Sequence, residues 1–173
     1  SESSWFRGAL HVAAVDSLDN HLLLLQCGRG WQVGAQNTRQ ILRAAFNVSN
    51  EPLPSAPRTL VVVKRPNNHP RHIDNHDEIV KALTQTFGPQ SKYKLDVVVF
   101  DSDALPAGKT AYADAADKFS RALIIFAPHG AGLSNILFAP QDALVLELLE
   151  QSGDLNLCYF NLAGHLRMAY RVS

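Results

Sequence analysis

Long apolar blocks separated by mixed blocks dominate the chain from residue 58 onward. Four runs are apolar almost throughout, which is typical of strands buried on both faces of a parallel sheet. They occupy residues 59–63, 95–100, 122–127 and 143–149, and a shorter run at 168–172 predicts a last strand. Helices are predicted between them at 74–87, 112–119, 133–138 and 157–166. The segment 74–87 shows the clearest helical spacing, with Ile79, Val80, Leu83 and Phe87 on one face and Gly88-Pro89 at its end.

Strand and helix alternate four times, which predicts an α/β fold: a Rossmann-like, doubly wound, mostly parallel sheet with helices on both faces. This domain is predicted over residues 58–173. Residues 1–57 form a lead-in segment and a Pro-rich linker, with short strands at 10–15 and 22–26 and a helix at 38–46. Three prolines fall within residues 51–57, which favours extended chain there.

Composition narrows the class of partner. The 173 residues are 46% apolar with a formal net charge of zero, so no basic excess points to nucleic acid. No apolar run is long enough to span a bilayer, and no membrane segment is predicted in this chain. The two cysteines, Cys27 and Cys158, fit either one disulfide or two buried thiols.

The loop after the third predicted strand carries the main candidate site, because ligands of such sheets bind beyond the carboxyl ends of the strands. Residues 122–138 read ALIIFAPHGAGLSNILF. Gly130 and Gly132 allow close approach to the backbone, and a helix that begins near Ala131 presents free amides to a phosphate. Donors could come from His129, Ser134 and Asn135. The alternative is a turn that only allows a strand and a helix to pack closely. A dinucleotide-binding oxidoreductase is a weaker alternative, because a third glycine is expected at position 135.

The loop after the first strand, residues 64–75, concentrates cations and imidazoles. Arg65 and Arg71 could grip phosphates bidentately, although a solvated loop explains them equally well. Asp74 or Asn75 could cap the next helix. A metal site would use three histidines but lacks a clear fourth ligand. These histidines are His69, His72 and His76.

Glu147 interrupts the fourth apolar run. A buried carboxylate is costly unless it has a partner. The hydroxyl groups of a ribose would supply two donors. Alternatively, Glu147 reaches water at the end of the strand or pairs with an arginine.

These features together resemble the carboxyl-terminal domain of glycosyltransferase family 61. The segments that carry the resemblance are VVVKRPNNHPRHIDNHDEIVKAL, DKFSRALIIFAPHGAGLSNILFAPQDALVLELL and YFNLAGHLRMAY. They occur in this order within residues 38–170. The most specific part is the His-Gly-Ala-Gly-Leu-Ser-Asn core followed by a strand that bears Glu147.

The resemblance implies one lobe of a two-lobed, B-type glycosyltransferase that is inverting and independent of metal. Such enzymes transfer xylose, arabinose or N-acetylglucosamine from a UDP-sugar to a glycan or glycoprotein acceptor in the lumen of the secretory pathway, in the Golgi or endoplasmic reticulum. Arg65 and Arg71 would face the diphosphate, His129 to Asn135 would form the phosphate-facing turn, and Glu147 would hold the ribose. An inverting transferase also needs a general base, for which His129 is a candidate. The residues implied to bind the nucleotide sugar are Arg65, Arg71, Asn75, Gly130, Ala131, Gly132, Leu133, Ser134, Asn135 and Glu147. No cofactor beyond the UDP-sugar donor is expected.

An alternative function follows from chain length. Enzymes of this family usually have an amino-terminal lobe that helps to bind the acceptor, and residues 1–50 are too few to build it. The chain could therefore act with a further lobe or with other subunits. It could instead be a non-catalytic structural subunit that keeps the fold, in which case a mitochondrion or plastid is expected. The sequon Asn47-Val48-Ser49 and the two cysteines are compatible with the secretory lumen.

Overall fold

A computed structural model describes residues 32–49, 57–69, 71–101, 103–104, 110–149 and 157–173. The helices are α1 (Gln32–Ala45), α2 (His76–Phe87), α3 (Ala111–Phe119) and α4 (Cys158–His165), with a 3₁₀ helix at Ala131–Phe138. The strands are β1 (Thr59–Lys64), β2 (Asp96–Asp101), β3 (Ala122–Pro128), β4 (Leu144–Leu148) and β5 (Ala169–Val172). The elements predicted from residue 38 onward are confirmed, whereas the strands predicted at 10–15 and 22–26 lie outside the described residues.

The five strands form one sheet in the order β2-β1-β3-β4-β5, and neighbouring strands are parallel throughout. This confirms the predicted Rossmann-like α/β fold. The chain leaves β1 toward β2 on one side and returns to β3 on the other side. The crevice at the carboxyl ends of β1 and β3 is therefore the topological switch point, where sheets of this order bind ligands.

Alternation along β1 sends side chains into two cores. Leu60 and Val62 pack with α2 on one face, while Val61 and Val63 join the larger core on the other face. That larger core contains residues of α1, α3, α4 and the 3₁₀ helix. Helices on both faces are thus confirmed, but among the described residues α2 alone packs on its face.

Helix α1 lies within the predicted lead-in segment and nevertheless packs on the same core. Ala35 and Leu42 belong to the larger core. The side-chain amide of Gln36 donates to the backbone carbonyl oxygen of His165 at 2.8 Å. Arg43 is 1% exposed, and its guanidinium donates to the carbonyl oxygens of Phe138 and Ser49. The boundary at residue 57 stays a prediction.

The described residues bear on only part of two predictions, which concern membrane segments and cysteines. No helix among them is both long and apolar enough to cross a membrane. Cys158 is half-buried at the start of α4, and Cys27 lies outside the described residues. The state of the two cysteines stays a prediction.

Replacing Arg43 with Met tests how strongly α1 is anchored to the 3₁₀ helix. Met keeps much of the apolar stem but removes both donors, which leaves the Phe138 carbonyl without its guanidinium partner. We expect the free energy of unfolding to fall by about 2–3 kcal/mol, since a buried polar group without its partner is costly. Urea denaturation measures this. Gln40→Met, at an exposed position of α1, is the matched control, and equal stability of the two variants would contradict the anchoring role.

Candidate functional site

The candidate site begins where the loops after β1 and β3 meet at the switch point. Nη2 of Arg65 donates to the carbonyl oxygen of His129 at 3.1 Å. Nη1 of Arg65 lies 2.8 Å from Nε2 of His69. The structure therefore joins two of the predicted loops through one guanidinium group.

Strand alternation turns Arg65, His129 and Glu147 toward the face that carries the larger core. Each stands two residues after a core residue of its own strand, and residues two apart share a face. These core residues are Val63, Ala127 and Val145. The parallel register pairs Ala127 of β3 with Glu147 of β4. His129, two residues after Ala127, therefore lies diagonally across from Glu147 on the neighbouring strand. Ala127 is small, so the two longer side chains can meet.

His129 and Glu147 form a buried pair. Nδ1 of His129 lies 2.6 Å from Oε1 of Glu147, and the Glu147 side chain is 0% exposed. Burial raises the pKa of Glu147 to about 7, although the charge of Arg71 opposes this. Burial also lowers the pKa of His129, and the charges of Arg71 and Arg65 add to this effect. A hydrogen lies between the two atoms whether or not the pair binds an extra proton, and because the pKa of Glu147 is about 7, the pair gains or loses that extra proton near neutral pH.

The two glycines of the turn have different roles. A Cβ on Gly132 would lie 2.7 Å from Cγ1 of Val63, so this glycine lets the 3₁₀ helix pack on β1. Gly130 has a φ of +144°, and a Cβ there would lie 1.2 Å from Nη2 of Arg65. Gly130 therefore leaves the space that the Arg65 guanidinium occupies. Both glycines therefore allow a close approach, Gly132 to β1 and Gly130 to Arg65, and a ligand at this turn stays a prediction.

The other turn residues divide between the core and the helix backbone. Leu133 is fully buried, and its amide makes the first i→i+3 bond, to the carbonyl oxygen of Gly130 at 2.9 Å. The amides of Ala131 and Gly132 precede that bond, as the first amides of a helix do. Ser134 Oγ donates to the Ala131 carbonyl at 2.6 Å. The Asn135 side chain donates to the Gly132 carbonyl at 3.0 Å, so both side chains fold back onto the helix.

Arg71 and Asn75 lie on the outer side of the site. Both are exposed. The backbone amide of Arg71 donates to Nδ1 of His69 at 3.1 Å. The charge of the Arg71 guanidinium acts to lower the pKa values of both His129 and Glu147. Asn75 is the N-cap residue of α2, but its side chain makes no cap hydrogen bond. Within the described part of the chain, no hydrogen bond joins Asn75 to the site.

The positive charge of the site is not neutralised by a carboxylate. In the residues that the structure describes, neither Arg65 nor Arg71 forms an ion pair. The ion pairs of other arginines lie elsewhere, such as the one between Arg58 and Asp142 at 2.9 Å. A crevice with two unpaired guanidinium groups is suited to an anion.

Tyr159 is a site residue that the sequence did not single out. Its ring centroid lies 5.3 Å from that of His129 in an edge-on arrangement, and its charge also acts on the pKa of Arg65. It is 5% exposed at the start of α4. Helix α4 was predicted, but the pattern gave no sign that this residue would face the loop after β3, some 30 residues earlier.

The metal alternative finds no support in the described ranges. No group of three or more histidine, cysteine or acidic side chains there could hold a metal ion. The three histidines of the loop have separate partners instead. His69 contacts Arg65, His72 contacts Asp74, and His76 contacts Asp77.

The fold and the site define a class: a parallel α/β protein with a positively charged crevice at its switch point. Comparison with family models then places the chain more closely, because the model described as Glycosyltransferase 61 matches residues 21–146. The chain belongs to glycosyltransferase family 61. No curated protein matches it. The match covers β1 to β3 and the glycine-rich turn and ends one residue before Glu147.

Replacing Gly130 with Ala tests the close approach of Arg65. The new Cβ would displace the guanidinium, and alanine would be strained at this φ. We expect a loss of about 1–3 kcal/mol in the free energy of unfolding, measured by urea denaturation. The control is Gly164→Ala in α4, where a Cβ meets nothing within 4 Å and stability should hold or rise. A Gly130→Ala variant as stable as the control would contradict this geometry.

The shifted pKa of Glu147 predicts how stability depends on pH. The folded-state pKa of about 7 lies above the ordinary value of 4.5, so the folded state holds the proton more tightly. This contribution is fully present below pH 4.5 and is lost as pH rises through 7. Relative to Glu147→Gln, the wild-type protein should lose roughly 3 kcal/mol at most between these limits.

Urea denaturation of both proteins at a series of pH values measures the difference, and Glu78→Gln at an exposed position of α2 is the control. A difference that is constant with pH, or that favours the wild type as pH rises, would contradict the assignment.

Proposed function

We propose that the chain is the donor-binding part of a glycosyltransferase and that it binds the diphosphate of a UDP-sugar in the crevice between the ends of β1 and β3. The observation that carries the proposal is a pair of arginines at the switch point of the sheet, Arg65 and Arg71, which have no carboxylate partner among the described residues. A bound diphosphate would be the negatively charged partner of both guanidinium groups.

Arg65 is held ready for such a ligand. Its guanidinium donates to the His129 carbonyl, an uncharged acceptor, and lies 2.8 Å from Nε2 of the His69 ring. Burial, helped by the nearby arginine charges, lowers the pKa of His69, which favours the neutral ring. The arginine is thereby positioned while its charge remains uncompensated. Less side-chain entropy is then lost when an anion binds.

The turn supplies a second group of donors. The amides of Ala131 and Gly132 stand at the start of the 3₁₀ helix, where backbone N–H groups favour an anion. Gly130 carries no side chain that would push Arg65 away from this position. Arginine and amide donors on two sides of one crevice fit the several oxygens of a diphosphate.

The finer assignments extend the same proposal. We expect a donor sugar of the xylose, arabinose or N-acetylglucosamine type, a glycan or glycoprotein acceptor, and action in the lumen of the secretory pathway. The guanidinium groups offer the positive charge that a metal ion offers in metal-dependent transferases. Binding of the donor does not depend on which residue acts as general base.

Calorimetric titration of the full chain with UDP tests the proposal. We expect binding that weakens as salt increases, because the contacts are charged. Arg65→Gln and Arg71→Gln should each reduce affinity by roughly tenfold or more, the effect of losing one charge-assisted contact. The matched control is Arg167→Gln, an exposed arginine that precedes the amino end of the edge strand β5, away from the carboxyl ends of β1 and β3.

Two results would contradict the proposal. Absence of heat with UDP and with UDP-sugars would favour the structural-subunit alternative. If all three variants bind UDP with the same affinity, the nucleotide binds at another site. A parallel titration with NAD, in which we expect no binding, tests the oxidoreductase alternative.

A further inference from the structure

The position of Glu147 does not suit a residue that grips a ribose directly. Its side chain is 0% exposed, and it lies on the same face of β4 as the core residue Val145. Oε1 is engaged by His129 at 2.6 Å. Oε2 is also buried and has no hydrogen-bond partner in the part of the chain that the structure describes. Among the described residues, the imidazole of His129 is therefore the hydrogen-bond partner of this carboxylate.

His129 is held on several sides by groups that leave one ring nitrogen for a ligand. Glu147 takes Nδ1, and the edge-on Tyr159 ring lies 5.3 Å away between centroids. The backbone of His129 is tied by its amide to the Leu148 carbonyl at 2.9 Å and by its own carbonyl to Arg65. Nε2 is the remaining polar atom of the ring, in a residue that precedes the proposed diphosphate turn.

We propose that Glu147 is a positioning residue that acts on the bound diphosphate through His129, whose Nε2–H donates to a phosphate oxygen. This inference rests on the proposed function, since it assigns a donor within the same site. It keeps His129 in the phosphate-facing turn that the resemblance implies, and it replaces two other expected roles, ribose binding by Glu147 and general base catalysis by His129. Glu147 then holds no ribose hydroxyl, and His129 is a donor to the diphosphate, which becomes the leaving group on transfer, and not the general base.

The protonation states of the His129–Glu147 pair support this assignment. With one shared proton the pair is neutral overall, either as a protonated carboxyl with a neutral imidazole or as a carboxylate with an imidazolium. In both forms Nε2 carries a hydrogen and can donate. Without that proton the pair is anionic, Nδ1–H donates to the carboxylate, and Nε2 can only accept. A diphosphate anion therefore favours the protonated pair.

Among the described residues, two arginines act on the proton of the pair. The charges of Arg65 and Arg71 disfavour an imidazolium and thus favour the form with the proton on Glu147. Arg71 also favours the carboxylate, but burial outweighs it. The Tyr159 ring packs edge-on against His129, and His69 lies against Arg65. A bound diphosphate would offset the arginine charges and strengthen the hold on the proton.

The test compares two ligands across a double-mutant cycle on the full chain. The ligands are UDP and inorganic pyrophosphate, which lacks the ribose, and the variants are Glu147→Met, His129→Phe and the double variant. Because Met cannot hydrogen-bond to Nδ1 and Glu147 acts through His129, Glu147→Met should weaken both ligands alike, by about tenfold. In the His129→Phe background it should have little further effect. Glu78→Gln is the control that should leave both affinities unchanged.

A spectroscopic signal separates positioning from a merely structural role. In ¹⁵N spectra of histidine-labelled protein, the His129 ring should carry its hydrogen on Nε2 below pH 7 and on Nδ1 well above it, and this exchange should be absent from Glu147→Gln. Affinity of the wild type for pyrophosphate should fall across the same pH range. Melting temperatures of all variants establish that each is folded during the titrations.

The possible failures can be told apart. If the wild type binds UDP but Glu147→Met weakens UDP and leaves pyrophosphate unchanged, Glu147 holds the ribose and this inference alone is overturned. A lower melting temperature with unchanged affinities and an unchanged ring signal overturns it in favour of a structural pair. If the wild type binds neither ligand, the proposed function fails and the inference falls with it.

Discussion

The buried contact between His129 and Glu147 is the constraint on which the candidate site depends. A carboxylate with no access to water must share a proton or find a partner, and the imidazole at 2.6 Å meets that need. The contact couples the end of β3 to β4, and the Tyr159 ring adds α4 to the same cluster. Three elements that are distant in sequence are therefore held together by one polar pair inside an apolar core.

The 3₁₀ helix that follows this pair is held at both ends by arginines from other parts of the chain. Arg65, from the loop after β1, donates to the carbonyl just before the helix, and buried Arg43, from α1, donates to the carbonyl of its last residue, Phe138. The helix is short, and 3₁₀ geometry gives weak internal hydrogen bonds. Its orientation, and hence the direction of its first amides, is set mainly by these outside contacts.

One turn of sequence meets two demands. Gly132 is needed because β1 and the 3₁₀ helix approach too closely for a side chain, and Gly130 is needed because Arg65 fills the space beside it. The first is a demand of packing, and the second places a charge where an anion could bind. Close packing and ligand binding are therefore not competing explanations of this turn, since the packed helix is what brings the charged group and the amides to one crevice.

The sequence by itself determined the elements and the class of fold. Continuous apolar runs of five or six residues such as 59–63 and 122–127 are typical of buried strands, and their alternation with helices indicates a parallel sheet. The loops that could carry chemistry followed from the same pattern, because they come after strands. The specific motif around His129 also allowed the family to be recognised, and the family model confirmed it.

Only the tertiary structure decided which side chains meet. The register of β3 against β4 sets His129 beside Glu147, and a shift of one residue would have turned Glu147 to the opposite face. Tyr159 reaches the site because α4 packs on the larger core, which its own helical pattern does not specify. Local sequence determines the period and the buried face of each element, whereas register and packing arise from the sum of many contacts between elements far apart in the chain.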